Sequence, residues 1–237
     1  MYRLSRLFRV VSRRDGLVVQ SGPFASMKYT SRAVGSSLLP KLLGSYEAEL
    51  HGVLVQILDN KYDTVVDIGC AEGYYAVGLA MRLPTARVFA FDVEPTALRL
   101  CSEMAATNEV KARVAVEGEC KIDRLQSLTE GRALVICDCE GCEYDLLRPD
   151  LAPNLKSTDI LVELHDFIDP RITTAIFERF ASTHDISLIN SEERDPLAYS
   201  ALRDFSPMDQ RMAVAEFRDG KMQWGWLRAK ENAQTDR

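Results

Sequence analysis

The sequence predicts a doubly wound α/β fold, a mostly parallel sheet with helices on both faces. Short strand-like runs alternate with longer helical segments along the chain. Several of those runs are continuously apolar, as strands become when helices cover both faces. The third observation is Val65-Val66-Asp67-Ile68-Gly69-Cys70-Ala71-Glu72-Gly73-Tyr74-Tyr75. Here a strand passes through an acid into a glycine turn that opens a helix, and the next strand ends in a second acid at Phe91-Asp92. Parallel sheets build nucleoside pockets in this way, at the carboxyl ends of their first strands.

Taken in order, the chain opens with Met1 to Arg14, where Leu4, Leu7, Phe8, Val10 and Val11 lie between arginines. A membrane-surface helix or an organelle-targeting segment fits that pattern. An extension packing its apolar face on the domain fits better, because Asp15-Gly16 ends the pattern after about four turns. Residues 1–60 are expected to form this extension and a helical or irregular cap, marked by Ser36-Ser37 and Pro40, before a catalytic domain over 61–237. Strands are predicted at 64–68, 87–91, 113–116, 133–137, 159–164, 185–189 and 222–227. Helices are predicted at 74–83, 95–107 and 170–182, with Pro95 and Pro170 in first turns. A further short helix opens at Pro207.

The 237 residues suffice for one sizeable core, and 46% hydrophobic with 27% charged residues is ordinary for a globular chain. No apolar run approaches the ~18 residues that cross a bilayer, and no signal peptide is recognisable. The net charge of −6 argues against a nucleic-acid substrate held by bulk electrostatics. It is unevenly spread: residues 1–60 carry eight Lys/Arg against four acids, or +4, leaving −10 on the rest.

The glycine spacing bears on the cofactor. A dinucleotide turn reads G-x-G-x-x-G and offers its helix amino terminus to a pyrophosphate. Here Gly69 and Gly73 stand alone with three residues between them, and Asp67 and Glu72 put negative charge where a pyrophosphate needs donors. A cationic ligand without phosphate, such as S-adenosylmethionine, suits that turn better. Gly69, Cys70, Ala71, Gly73 and Tyr74 are expected to border it, with Asp92 accepting from two ribose hydroxyls and Glu94 as the competing acceptor. Gly118 and Glu119, after the third strand, are expected near the adenine. The Asp-x-Gly-x-x-x-Gly turn resembles motif I of the class I methyltransferases.

Two more clusters end adjacent strands: Asp138-Cys139-Glu140-Gly141-Cys142-Glu143 and Glu163-Leu164-His165-Asp166. Asp-x-Glu-Gly-x-Glu followed about 20 residues later by Leu-Val-Glu-Leu-His resembles the FkbM-type methyltransferases, over roughly Thr64 to Phe167. The resemblance implies seven strands with the last antiparallel, and methyl transfer from S-adenosylmethionine to a hydroxyl of a small molecule.

Such a transfer needs an aligned acceptor and a base of near-neutral pKa. Of three histidines, His165 alone is expected at a strand end beside carboxylates, and it is the candidate base; a structural histidine capping the turn is the alternative. Asp138 is assigned to orient the acceptor or the cofactor's amino group. Glu140 or Glu163 is assigned to hold the acceptor hydroxyl or the histidine ring. These four side chains also make a set that Mg²⁺ could use to lower a hydroxyl pKa. Lys28, Tyr29 and Arg32 are candidates to meet an anionic or sugar-like acceptor. Cys137, Cys139 and Cys142 read as small core residues of a reducing, cytosolic compartment rather than as a metal site. Trp224 and Trp226 are expected in the core or on a homodimer surface. Two rival functions stay open, a nicotinamide-dependent oxidoreductase and a non-catalytic partner subunit that binds S-adenosylmethionine.

Overall fold

The computed structural model describes residues 2–218 and 220–230. Its centre is a seven-stranded sheet: β1 (Thr64–Ile68), β2 (Arg87–Phe91), β3 (Val114–Glu117), β4 (Ala133–Cys137), β5 (Asp159–Glu163), β6 (His184–Asn190) and β7 (Gln223–Ala229). The order is β3-β2-β1-β4-β5-β7-β6. β1 to β5 pair in parallel, and β7 runs antiparallel between β5 and β6. β3 begins at Val114: the Arg113 N–H turns back to the Val110 carbonyl, while its guanidinium donates to the carbonyls of Ala80, Leu83 and Ala86.

Nine α-helices lie among the described residues: α1 (Tyr2–Asp15), α2 (Leu38–Leu43), α3 (His51–Asp59), α4 (Tyr74–Arg82), α5 (Pro95–Thr107), α6 (Ile122–Leu128), α7 (Glu143–Leu146), α8 (Ile172–Phe180) and α9 (Pro207–Val214). α5 starts where its proline allows, and Glu94 caps it by accepting the Thr96 N–H at 3.2 Å. Pro170 does not open α8: Asp169 accepts the Arg171 and Ile172 N–H groups in a turn, and the helix begins at Ile172. Leu147 is the C-cap of α7.

Every residue of β4 is buried, and in β1 only Thr64 is partly exposed. One face of the sheet packs Val65, Leu134, Ile136 and Leu161 against α4 and α5. The other packs Val66, Val135, Ile160 and Val162 against α6 and α8. Cap residues Phe24, Met27, Tyr29, Leu42, Tyr46 and Leu50 belong to the first of these cores, as do Trp224 and Trp226. Gly78 of α4 makes room for the Phe24 ring, whose nearest carbons lie 2.6 Å from where a Cβ would stand. The apolar face of α1 is covered too: Leu7 and Val11 are buried against Leu39, with Leu4, Phe8, Phe205 and Met212 around them. No described helix is long and apolar enough to cross a membrane.

Candidate active site

The carboxyl ends of β3, β2, β1, β4 and β5 open into one cavity of about 1010 Å³. Its floor carries Gly118, Asp92, Gly69, Asp138 and Glu163, one from each strand end. Cap residues Val34, Ser36, Lys41 and Tyr46 form one wall, and Phe217, Arg218 and Met222, just before β7, form another.

The turn after β1 is pinned to β2: the N–H groups of Gly69 and Cys70 both donate to the Phe91 carbonyl at 2.9 Å. Gly69 has φ 86°, and a Cβ there would stand 1.6 Å from the Asp138 carbonyl oxygen, so only glycine lets β1 and β4 end side by side. Ala71 adopts φ 47°, the left-handed region. Its N–H donates to Asp92 Oδ2 at 2.9 Å, while Asp92 Oδ1 accepts from Glu94 N–H at 2.8 Å. Asp92 is thereby fixed at the rim of the cavity, partly exposed, with acceptor capacity left over. Glu94 does not reach the cavity.

Not every residue expected at the cofactor lines the cavity. Gly69, Cys70, Ala71, Tyr74, Asp92, Gly118, Glu119 and Asp138 do; Asp67 and Gly73 lie behind the turn. Asp67 is 2% exposed, and its Oδ2 has no partner among the described residues. Burial raises its pKa to about 7, against a hydrogen bond from the Ala76 backbone and with the charges of Asp138 and Asp92 adding to the rise. Tyr74 meets the cavity but is mostly packed among Phe24, Tyr29, Tyr46 and Tyr75.

Glu72 corrects the electrostatic argument made from sequence. It points away from the turn, fully buried, where Lys41 Nζ and the Tyr29 hydroxyl each donate to it at 2.6 Å and the Val34 N–H at 2.9 Å. Burial pushes its pKa up, but Lys41, with the hydrogen bonds from Tyr29 and Val34, holds it below the ordinary value. Its charge is therefore neutralised within the cap. The same bonds place Tyr29 in the core and away from any acceptor. Lys28 bonds through its backbone to Asn108, and neither Lys28 nor Arg32 lines the cavity.

His165 stands at the heart of the second cluster. Its Nδ1 lies 2.8 Å from Glu143 Oε1, and both side chains are buried. Glu143 also accepts the backbone N–H groups of Cys139 and Gly141, at 3.1 and 2.9 Å. Its carboxylate thus shapes the turn after β4 and fixes the imidazole at once. The other ring nitrogen, Nε2, is 3.5 Å from Glu140, 3.6 Å from Asp138 and 3.9 Å from Glu163. Burial lowers the His165 pKa, but the hydrogen bond and charge of Glu143, with Asp138 and Glu140, more than reverse this and raise it. His51 and His184 are elsewhere; His184 bonds Thr183 and the Thr158 carbonyl in the interior.

Sequence reasoning missed the other half of this cluster. Arg218 pairs with Glu47, Glu163 and, at 2.9 Å, Glu216. Arg194 pairs with Glu49 and, at 2.8 Å, Glu216, and the Tyr75 hydroxyl donates to Glu47. Burial, followed by the neighbouring carboxylates, pushes the pKa values of Asp138 and Glu163 up. The cysteines differ from expectation as well: Cys139 and Cys142 form a disulfide, while Cys70, Cys101, Cys120 and Cys137 are buried thiols.

Asp138, Glu163 and His165 each offer an atom within 4.8 Å of the others. As a Mg²⁺ site the set fits poorly. Mg²⁺ demands a near-octahedral shell of oxygens, whereas one of these three donors is an imidazole and Glu163 is already held by the Arg218 guanidinium. S-adenosylmethionine fits better: a carboxylate fixed for a ribose, bare backbone at Gly69 and Gly118, and an acid-rich interior for a cation.

The family model for the methyltransferase small domain matches residues 51–128, spanning α3 to α6. The chain carries an S-adenosylmethionine-dependent methyltransferase domain. Its fold recurs in solved structures of very different sequence. An O-methyltransferase from Bacillus cereus, solved with S-adenosylhomocysteine, is 13% identical at a TM-score of 0.50, covering 96% of this chain and 91% of that one. An O-methyltransferase of tomaymycin synthesis from Streptomyces achromogenes, solved with S-adenosylmethionine, is 14% identical at 0.50, covering 95% and 89%. An rRNA methylase from Streptococcus thermophilus is 11% identical at 0.52, covering 77% and 97%. At these identities the likeness is one of fold. No curated protein matches the chain by sequence.

Proposed function

We propose that this methyltransferase domain transfers a methyl group from S-adenosylmethionine to a hydroxyl of a small-molecule acceptor, with His165 as the base. The supporting observation is the Glu143–His165 pair. A carboxylate on Nδ1 fixes the ring, and Nε2, which faces Asp138, Glu140 and Glu163, is the basic nitrogen on the cavity side. Bound S-adenosylmethionine supplies an electrophilic methyl on a sulfonium. Asp92 holds its ribose, with Gly69, Cys70, Ala71, Tyr74, Gly118 and Glu119 around it and Asp67 and Gly73 supporting the turn. Asp138 orients the acceptor, and Glu140 and Glu163 hold its hydroxyl. The FkbM-type reading rests on the Asp138–Glu143 and Leu161–His165 motifs, both of which border the proposed base.

The acceptor side is formed by the 1–60 cap and the segment before β7, so we assign acceptor recognition to Val34, Ser36, Tyr46 and Phe217. A carboxylate-rich interior favours a neutral acceptor over an anionic one. Calorimetric titration with S-adenosylmethionine and S-adenosylhomocysteine is the test, in wild type and Asp92→Ala, with and without EDTA. Saturable binding, weakened by Asp92→Ala and indifferent to EDTA, is expected. Binding of a nicotinamide cofactor instead would sink the proposal. A protein that binds S-adenosylmethionine while His165→Ala leaves methyl transfer to a screened acceptor unchanged would refute the role given to His165.

A further inference from the structure

We propose that Cys139 and Cys142 form a redox-active disulfide, which exchanges with an external dithiol and controls the turn that carries Glu140 and holds Glu143 against His165.

The sulfurs lie in a C-x-x-C segment with Cα atoms 5.5 Å apart, and both line the open cavity, where a reductant can reach them. Between them the backbone is unusual. Glu140 sits at φ 54° and Gly141 at φ 108°, both in the left-handed half of conformational space, where a glutamate is disfavoured. The disulfide closes a ring around these two residues. Outside the ring, the turn is held by the Cys139 and Gly141 N–H groups donating to Glu143, the carboxylate that also fixes His165. Covalent closure and the position of the candidate base are therefore two ends of one short piece of chain.

A disulfide across a sequence separation of three removes little loop entropy from the unfolded chain, so it adds little as a structural staple. The remaining four cysteines are buried unpaired thiols, the usage of a reducing compartment, where a disulfide is redox-sensing or catalytic more often than structural. Cys137 is not the exchanging partner. Its Sγ lies 3.6 Å from that of Cys139, but it is completely buried, and burial with the nearby Glu143 and Asp138 charges pushes its pKa up, keeping it a thiol.

The chemistry balances. A thiolate of the external dithiol attacks one sulfur of the pair, the S–S bond breaks, and the departing thiolate takes a proton. The second thiol of the reductant then displaces the other cysteine, leaving two protein thiols and an oxidised dithiol. Two electrons pass to the protein in this direction and return by the reverse exchange. On reduction Glu140 is free to leave its left-handed conformation, which loosens the Cys139 and Gly141 N–H bonds and with them the Glu143–His165 contact.

The test is carried out on the full chain without any acceptor. After equilibration with oxidised dithiothreitol, the denatured protein should show four thiols by colorimetric titration. After reduced dithiothreitol applied under native conditions it should show six. Amide exchange at Cys139 and Gly141, followed by mass spectrometry over residues 138–146, should quicken at least tenfold in the reduced protein while β1 and β4 stay unchanged. Cys142→Ser should abolish the thiol difference and the exchange difference together, and Cys137→Ala should preserve both. Six thiols under oxidising conditions would overturn the proposal. So would a bond that survives in Cys142→Ser, or equal amide exchange in the two states.

Discussion

Lys41 and Glu72 form an ion pair at 2.6 Å with side chains 2% and 0% exposed, tying the cap to the turn that borders the cavity. Lys41→Met leaves a buried carboxylate with only the Tyr29 hydroxyl and the Val34 N–H for company. Removing one partner of such a pair costs about 3–5 kcal/mol. Protonation limits that cost: carrying the glutamate from its ordinary value of 4.5 to neutrality at pH 7 takes about 3.4 kcal/mol. At pH 5 the same step takes only about 0.7 kcal/mol. In the wild type the Glu72 pKa is depressed, so its contribution is present above the unfolded value and is lost as pH falls through the folded one. In Lys41→Met the folded pKa lies above the unfolded value, and stability is instead lost as pH rises. The penalty of the substitution should therefore grow from below 1 to about 3 kcal/mol between pH 5 and 7, read by urea denaturation at each pH. Adding Glu72→Gln to Lys41→Met should recover most of the loss at pH 7. A penalty under about 1 kcal/mol at pH 7, or one that does not change with pH, would refute the reasoning.

Other perturbations reach the site more directly. Asp92→Ala removes a charged acceptor and should weaken S-adenosylhomocysteine binding about 10- to 100-fold by calorimetry. Gly69→Ala drives a Cβ into the Asp138 carbonyl and should cost more than about 2 kcal/mol by denaturation, together with cofactor binding. A base must be neutral to accept a proton, and the His165 pKa is raised, so activity should fall off on the acid side at a pH above 6.5. Glu143→Gln removes the interaction that raises it and should move that limb to lower pH while lowering kcat, measured as a pH–rate profile.

The strands and the glycine turn were legible because their signals are local. β4 declares itself as a five-residue apolar run, and β1 and β2 as mostly apolar ones, β1 broken by Asp67 and β2 opened by Arg87. The acids of the second cluster were legible as a group, but not the part each plays. Glu143 sits one residue beyond the disulfide, and only the folded turn shows it reaching back to Cys139 and across to His165. Lys41, Glu47 and Arg218 carried no signal at all. Arg218 meets a glutamate 171 positions earlier and another 55 positions earlier, and no short motif encodes pairings over such distances. The cap misled for the same reason. Tyr29 looks like a surface aromatic among cations until Glu72 is brought beside it.

The antiparallel β7 is the last of the described strands along the chain, yet it lies inside the sheet, between β5 and β6. Synthesis therefore delivers the centre of one half of the sheet after its edge. While the ribosome is still extending the chain, β1 to β5 can assemble with the nucleoside end of the cavity, but β6 has no neighbour to pair with. Arg218 arrives only just ahead of β7, so Glu47 and Glu163 wait without their shared cation until the final strand is threaded into place. A nascent chain halted before residue 218 should thus hold cofactor before it can close the acceptor side. Truncations from the carboxyl terminus would strip the two binding functions proposed for the domain in the opposite order.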